Sequence, residues 1–455
     1  MAVMKKCGLL GSSLVLLLSL TSRSLAAPIK VRGYITSLPN QQSLAILDDV
    51  IAFDAGTHFE LQSCATTGQA QNGLAVGLLI EAEGTWTAPH HFTAQKITCD
   101  PSQFTREISE SAYFQEEPID TEKLTAGTPT QLKADGELLV LADAPQKLWT
   151  ARFTETSAKS SDQRILGSQI HYRGIRSTDG SILASGVEFG PPAPADAYKN
   201  PGDITIVPAT DSKTGTRLLE FRKGGKVHGR MKLFPVNEVQ DYVKTLGLGL
   251  LPKAADFTKR PVEFRFFVVE DPAINAEALP DGTILVHTGL LGAMQNEAQL
   301  AFVLSHEISH VLQAHHWHEV HDTRTKRVLI TIVAIAGSYY IGSLASYLGG
   351  IGLATVVNGY SRRIENQADR LGLQNTIDHG YDPRSAVGFF RTMVERYRQR
   401  STSTIWSNHD SSLMRGSFLT VQLARQYPQE RFAGAKLSTP AFEAMKDAMG
   451  PVKIE

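Results

Sequence analysis

The sequence predicts an α+β chain in which two small β-barrel-like modules precede a mainly helical domain with a small sheet. A repeat of alternating strand-like segments marks the modules. A Pro-rich break at Gly190-Pro191-Pro192-Ala193-Pro194-Ala195 follows them, and apolar residues at helical spacing dominate beyond it. With 455 residues there is room for about three domains.

Residues 1–26 read as a removable leader. Lys5 and Lys6 precede an apolar run from Leu9 to Leu20, and Ser24-Leu25-Ala26 offers small residues where a signal peptidase cuts. Cleavage near Ala26 sends the chain to the periplasm, although full release stays open. It leaves two cysteines, Cys64 and Cys99, an even pair inside one module. In an oxidising compartment such a pair suggests a disulfide, with two buried thiols as the other reading.

The modules repeat with an offset of 90. Gly77-Leu78-Leu79-Ile80-Glu81-Ala82-Glu83-Gly84 aligns without gaps on Gly167-Ser168-Gln169-Ile170-His171-Tyr172-Arg173-Gly174, and Phe92, Ala94 and Ile97 fall on Ile182, Ala184 and Val187. Apolar and polar residues alternate between turn signals such as Leu38-Pro39-Asn40 and Thr178-Asp179-Gly180, the pattern of short antiparallel strands. The first module is expected over 28–100 and the second over 135–190. An acidic, polar linker, 101–134, separates them, a second linker covers 191–215, and the helical domain fills 216–455.

That domain contains His306-Glu307-Ile308-Ser309-His310. Two imidazoles four residues apart on a helix point the same way, about 6 Å apart along the axis, a spacing that suits one zinc ion. Glu307 lies on the neighbouring flank, where it can take a proton from activated water and pass it to a leaving amine. The preceding run from Asn296 to Leu304 has apolar residues at helical spacing, so the helix is expected to be packed. A catalytic zinc wants three protein ligands and an open position. His316 is one candidate for the third, but on a continuing helix it sits about 240° around from His310; the cluster of His315, His316, His318 and His321 reads as a polar helix end. Glu365 is the other, with Asp369 one helical turn on, placed to accept a hydrogen bond from a ligand histidine's other nitrogen.

HExxH, then Ser361-Arg362-Arg363-Ile364-Glu365-Asn366-Gln367-Ala368-Asp369, then Gly380-Tyr381-Asp382-Pro383 resembles the zinc metallopeptidases that include the HtpX heat-shock protease, the CaaX prenyl-protein endopeptidase and BepA-type proteases. Upstream, Asn275-Ala276 through Pro280 and Gly282 is similar to that family's N-A-x-x-x-P-x-G strand segment. The resemblance covers about residues 230 to 425 and implies a zincin-type domain. It further implies His306, His310 and Glu365 as ligands of one zinc per chain, Glu307 as general base and Asp369 as partner of a ligand. The strand around Asn275 and Ala276 is implied to offer an edge to a substrate peptide. Asn408 to Arg415 resembles the family's T-H-P-x-x-x-x-R segment, with Asn408 for the threonine and Asp410 for the proline. There the resemblance implies a catalytic His409, stabilising the oxyanion or filling the open zinc position at rest.

Val328 to Val357 is the most apolar stretch after the leader. A single crossing would put His310 and Glu365 on opposite sides of a bilayer, and two crossings need about 40 residues. Two folded-back helices fit better, either filling the core or making peripheral membrane contact. The formal charge of −1 becomes −4 once Lys5, Lys6 and Arg23 leave, which excludes nucleic acid as an expected partner. A zinc endopeptidase acting on polypeptides, misfolded envelope proteins by family analogy, is the leading expectation. A zinc hydrolase of non-peptide bonds and a latent or structural zinc protein with a chaperone-like role are the alternatives.

Overall fold

The computed structural model describes residues 29–61, 73–99, 108–113, 130–134, 137–141, 169–176, 182–189, 195–252, 262–321, 360, 362–397, 412–427 and 432–454, with backbone alone between 108 and 189. The expected leader, Cys64, the apolar stretch 328–357 and His409 lie outside these residues.

The first β unit comprises β1 (Ile29–Tyr34), β2 (Ser37–Asn40), β3 (Ser43–Ile46), β4 (Asp49–Ala52), β5 (His58–Glu60), β6 (Leu79–Ala88) and β7 (His91–Cys99). Their order is β1-β6-β7-β4-β3-β2, with β5 beside β7. Alternation along β7 turns Phe92, Ala94, Ile97 and Cys99 inward onto Ile35, Leu44, Ile46 and Ile51. The second unit comprises β8 (Ile108–Tyr113), β9 (Thr130–Ala134), β10 (Glu137–Leu141), β11 (Gln169–Arg176) and β12 (Ile182–Phe189), in the order β8-β11-β12-β10-β9.

The second order reproduces the first. β8 runs antiparallel to β11 as β1 does to β6, and β12 runs parallel to β10 as β7 does to β4. Even the register shift recurs at the same offset, between Glu83 and Gly84 and between Arg173 and Gly174. Two expectations change. The β-barrel-like modules are open sheets, because β1 and β2 end the first path and β8 and β9 end the second without pairing to each other. The expected linker 101–134 contains β8 and β9, and the linker 191–215 contains a strand of the next unit. Terminal positions in a sheet tolerate polar sequence, so an acidic segment can supply edge strands without advertising them.

The unit that follows is layered. β13 (Thr205–Thr210), β14 (Arg217–Lys223) and β15 (Lys226–Lys232) form an antiparallel meander, and β16 (Arg265–Val269), β17 (Ala276–Ala278) and β18 (Thr283–His287) form a second sheet in the order β16-β18-β17. Central β18 is buried throughout. Leu285, Val269 and Leu279 pack on Ile206, Leu219 and Phe221 of the meander, while Ile284, Val286, Ala276 and Ala278 pack into the helical layer. That layer holds α1 (Asn237–Gly249), α2 (Thr288–Ala293), α3 (Glu297–Leu312), α4 (His315–His321), α5 (Arg362–Asp378), α6 (Arg384–Tyr397), α7 (Ser412–Gln426) and α8 (Pro440–Met449). Among the described residues no helix is long and apolar enough to cross a membrane.

The first β unit seats on α6 and α7. The Tyr34 amide donates to Ser417 Oγ at 2.9 Å, and the Tyr34 and Phe418 rings lie 5.5 Å apart. Gly416 makes the approach possible, because a Cβ there would sit 2.8 Å from Leu47 Cδ1 and 2.9 Å from Phe390 Cβ. Ion pairs Arg391–Asp48 (3.0 Å) and His90–Glu395 (2.9 Å) flank this contact.

Candidate metal centre

Helix α3 begins at Asn296, whose side chain accepts from the Gln299 amide at 2.9 Å. Every residue of α3 is buried, so its polar side chains must find their interactions inside the protein. His306 and His310 turn toward α5, and their Nε2 atoms lie 3.0 Å apart. Glu365 of α5 reaches both, with its carboxylate oxygens 3.6 Å from His306 Nε2 and 3.7 Å from His310 Nε2. One donor atom from each of the three lies within 4.8 Å of the others.

Close helix approach makes this convergence possible. At Gly372, one to two turns beyond Glu365, a Cβ would stand 3.0 Å from the His306 amide nitrogen and 3.1 Å from its Cα. Asn375 adds a tie, donating to Ser305 Oγ at 2.9 Å and to Leu250 O at 2.7 Å.

Asp369, fully buried, stands 3.0 Å from His306 Nδ1, which fixes the tautomer that leaves Nε2 as a lone-pair donor. Arg415 of α7 clamps the same carboxylate at 2.7 and 2.9 Å and approaches Glu365 at 3.3 Å, with its guanidinium over the Phe390 ring. Burial would raise the Asp369 carboxyl, but Arg415 and His306 hold it below the usual range. Burial and Arg415 push the His306 imidazole down. Burial and neighbouring Glu365 push the Glu307 carboxyl well up, against Arg415 and the Ala278 N–H, from which it accepts a hydrogen bond.

Two neighbours of His310 complete the site. Tyr360 stacks on its ring, centroids 4.2 Å apart and 18° from parallel. His315 places Nδ1 2.9 Å from His310 Nδ1 and is 1% exposed, which corrects its expected place at a polar helix end. The correction has a local cause: α3 stops at Leu312 and Ala314 adopts φ +49, so the chain turns and brings His315 back against the ligand. His316, the alternative third ligand, is not in the donor group.

The donor set suits a divalent cation. Two neutral imidazoles and a carboxylate are the ligands of catalytic zinc sites. With Glu365 and Asp369 ionised against one guanidinium the buried cluster carries −1, a charge that favours a bound cation.

The expected edge strand needs one adjustment. β17 ends its sheet, but the Asn275 carbonyl accepts from the His287 amide inside it, and its side chain donates to Glu277. By strand alternation the main-chain groups of Ala276 and Ala278 face away from β18, and the Ala278 N–H is taken by the Glu307 carboxyl. Asn275 therefore supports the strand, and Ala276 belongs to the edge. Tyr360, which flanks the segment from Ser361 to Asp369, is the neighbour that sequence reasoning passed over; Arg415 entered only as the last residue of the resembling segment from Asn408, and His315 only as part of a polar helix end.

Residues 237–428 match the family model for peptidase family M48, and residues 32–98 match a domain of unknown function, DUF5666. The chain is 31% identical over 167 residues to the beta-barrel assembly-enhancing protease of Escherichia coli K12, covering 35% of this chain and 34% of that protein. It is 35% identical over 139 residues to the mitochondrial metalloendopeptidase OMA1 of Bos taurus, covering 28% and 25% respectively. The chain thus spans about a third of the length of the bacterial relatives it matches.

Proposed function

Because the chain carries a domain of peptidase family M48 across residues 237–428, we propose that it is a periplasmic zinc-dependent endopeptidase that cuts misfolded envelope proteins. One observation carries the reading: His306, His310 and Glu365 converge in a buried cage with Glu307 on the adjoining flank of the same helix. When bound, zinc supplies Lewis acidity toward a carbonyl oxygen and toward water. His306, His310 and Glu365 hold it, and Asp369 keeps His306 in the ligating tautomer.

Glu307 is the base. It takes a proton from the attacking water and returns it to the leaving amine. Its raised affinity for a proton in the bare site suits the return step, and a cation beside it strengthens its carboxylate form for the first. The outward main chain of Ala276 offers the substrate a strand partner beside the Ala278 N–H that Glu307 engages, lining an extended peptide along the helix that carries Glu307. His409 contributes oxyanion stabilisation or closure of the resting site. A Cys64–Cys99 disulfide and cleavage near Ala26 complete the exported form, and 328–357 supplies any peripheral membrane contact.

The test is zinc content together with casein cleavage, with and without a chelator, for wild type and Glu307→Gln. Wild type is expected to contain one zinc and to cut casein until chelated; Glu307→Gln is expected to keep the metal and lose turnover. Zinc without cleavage of any polypeptide would favour the latent or non-peptide alternatives.

A further inference from the structure

We propose that the first β unit, which matches a domain of unknown function, positions the electrostatic lock of the metal centre: by holding α7 it presents Arg415 to Asp369 and Glu365, and Leu47 and Tyr34 are the positioning residues through which it acts. The inference rests on the peptidase reading above. It gives a task to residues 32–98, which lie outside the M48 match.

The unit meets α7 with the end strand of its open sheet, β1. Just past that strand, the Ile35 amide donates to Leu78 O at 2.8 Å and the Ile35 carbonyl accepts from the Gly77 amide at 2.7 Å, so Ile35 faces into the sheet. By alternation Tyr34 turns its amide outward, where Ser417 Oγ accepts it at 2.9 Å. The same hydroxyl donates to Met414 O at 2.9 Å, which ties the sheet edge to the turn of α7 that carries Arg415. Gly33 leaves room for it, since a Cβ there would lie 3.2 Å from Ser417 Oγ. Near the far end of α7, Arg425 donates to Val76 O at 3.1 Å. Tyr34, Leu47 and Leu79 of the β unit are buried in the core of the helical layer, not in that of their own sheet.

Leu47 makes the decisive contact. It occupies the turn between β3 and β4 at φ +55, a left-handed backbone that leucine rarely adopts and that Gly or Asn takes readily. What leucine supplies in return is a wedge: its Cδ1 and the Cβ of Phe390 lie 2.8 and 2.9 Å from where a Cβ on Gly416 would stand. Arg415 immediately precedes Gly416, and the Phe390 ring lies under its guanidinium, 4.7 Å from ring centroid to Cζ. Beyond Phe390 come Phe302 of the metal helix, ring centroids 6.0 Å apart, and then His306 at 6.3 Å. Loss of Leu47 therefore loosens Arg415 on two sides, at its backbone and beneath its guanidinium. Because Arg415 holds both carboxylates that face His306, the grip of the β unit reaches the metal ligands at one remove.

The test measures zinc affinity of the full chain by chelator competition, together with hydrogen exchange of α7 read by mass spectrometry. Leu47→Gly suits the turn and removes the wedge. It should weaken zinc binding about tenfold and speed exchange in α7, while Leu47→Met stays within about twofold of wild type. The loss should vanish in a protein that already carries Arg415→Met and Asp369→Asn, because residues acting through one link do not add. Tyr34→Ala carries the test if Leu47→Gly fails to fold. Zinc affinity unchanged in Leu47→Gly and Tyr34→Ala, or a loss of the same size in the protein without the lock, overturns the positioning role and leaves the peptidase reading intact. Absence of zinc binding in wild type overturns both.

Discussion

His315 Nδ1 lies 2.9 Å from His310 Nδ1 with both rings buried, so the imidazole that turns Nε2 toward the metal position is gripped from behind by a second imidazole. Ligation by Nε2 leaves the proton of neutral His310 on Nδ1, where His315 can accept it. Replacing His315 with Phe removes that acceptor and should weaken zinc binding about 10- to 100-fold, with Asn restoring part of the loss. Chelator competition measures the affinities, and an unchanged value in the Phe variant would strip His315 of its positioning role.

Glu365 supplies the only ligand carboxylate of the donor group. Glu365→Gln keeps the shape but gives up the charge and one strong donor. Zinc content after dialysis should fall well below one per chain, while the melting temperature of the metal-free protein should change little or rise, because one buried anion has gone. Full zinc retention would move the third ligand elsewhere.

Arg415 and Asp369 form a buried ion pair 2.7 Å apart. Arg415→Met leaves Asp369 uncompensated and should cost about 3–5 kcal/mol in denaturant unfolding. The double variant Arg415→Met with Asp369→Asn should recover part of that. Equal stability of single variant and wild type would mean that the clamp contributes nothing.

Gly372 stands where a Cβ would press on the His306 backbone at 3.0 to 3.1 Å. Helix backbones do not yield as side-chain tips do, so Gly372→Ala should push α5 away by a few tenths of an ångström. Activity at limiting zinc should drop about tenfold or more and recover at saturating zinc. A loss that excess zinc leaves untouched would place the damage elsewhere.

If Cys64 and Cys99 are joined, the loop they close is worth about 4 kcal/mol to the first β unit. Alkylation of the oxidised protein should spare both thiols, and Cys99→Ser should lower that unit's melting temperature. Ready labelling of Cys99 in folded, unreduced protein would rule the bond out.

The metal helix was legible because its chemistry and periodicity coincide: an apolar run enters HExxH with an Asn cap in front. Glu365 and Asp369 were legible through the resemblance of the segment Ser361 to Asp369, since a Glu and an Asp one turn apart are by themselves an ordinary helix face. The strand repeat was legible for the same kind of reason, since strand order and register shift recur at the offset read from Gly84 and Gly174. What stayed hidden depends on backbone turns without their usual residues. Ala314 takes a left-handed conformation that alanine rarely signals, so His315 and His316 read as a continuation of helix. β8 and β9 stayed hidden in acidic sequence because sheet ends need little apolar surface. Arg415 closed a family-like segment without a role of its own, and only the fold shows that three carboxylates and a phenylalanine ring surround it.

The contact between Tyr34 and Ser417 joins positions 383 residues apart. On a ribosome or a translocation channel the first sheet can therefore be complete long before the helix it seats is made. Arg415 lies two residues ahead of Ser417 on that same helix, so the guanidinium clamp on Asp369 closes only after synthesis has passed Phe418. A partly emerged chain carries HExxH without its electrostatic lock, so the buried cluster around the two imidazoles is assembled late in synthesis.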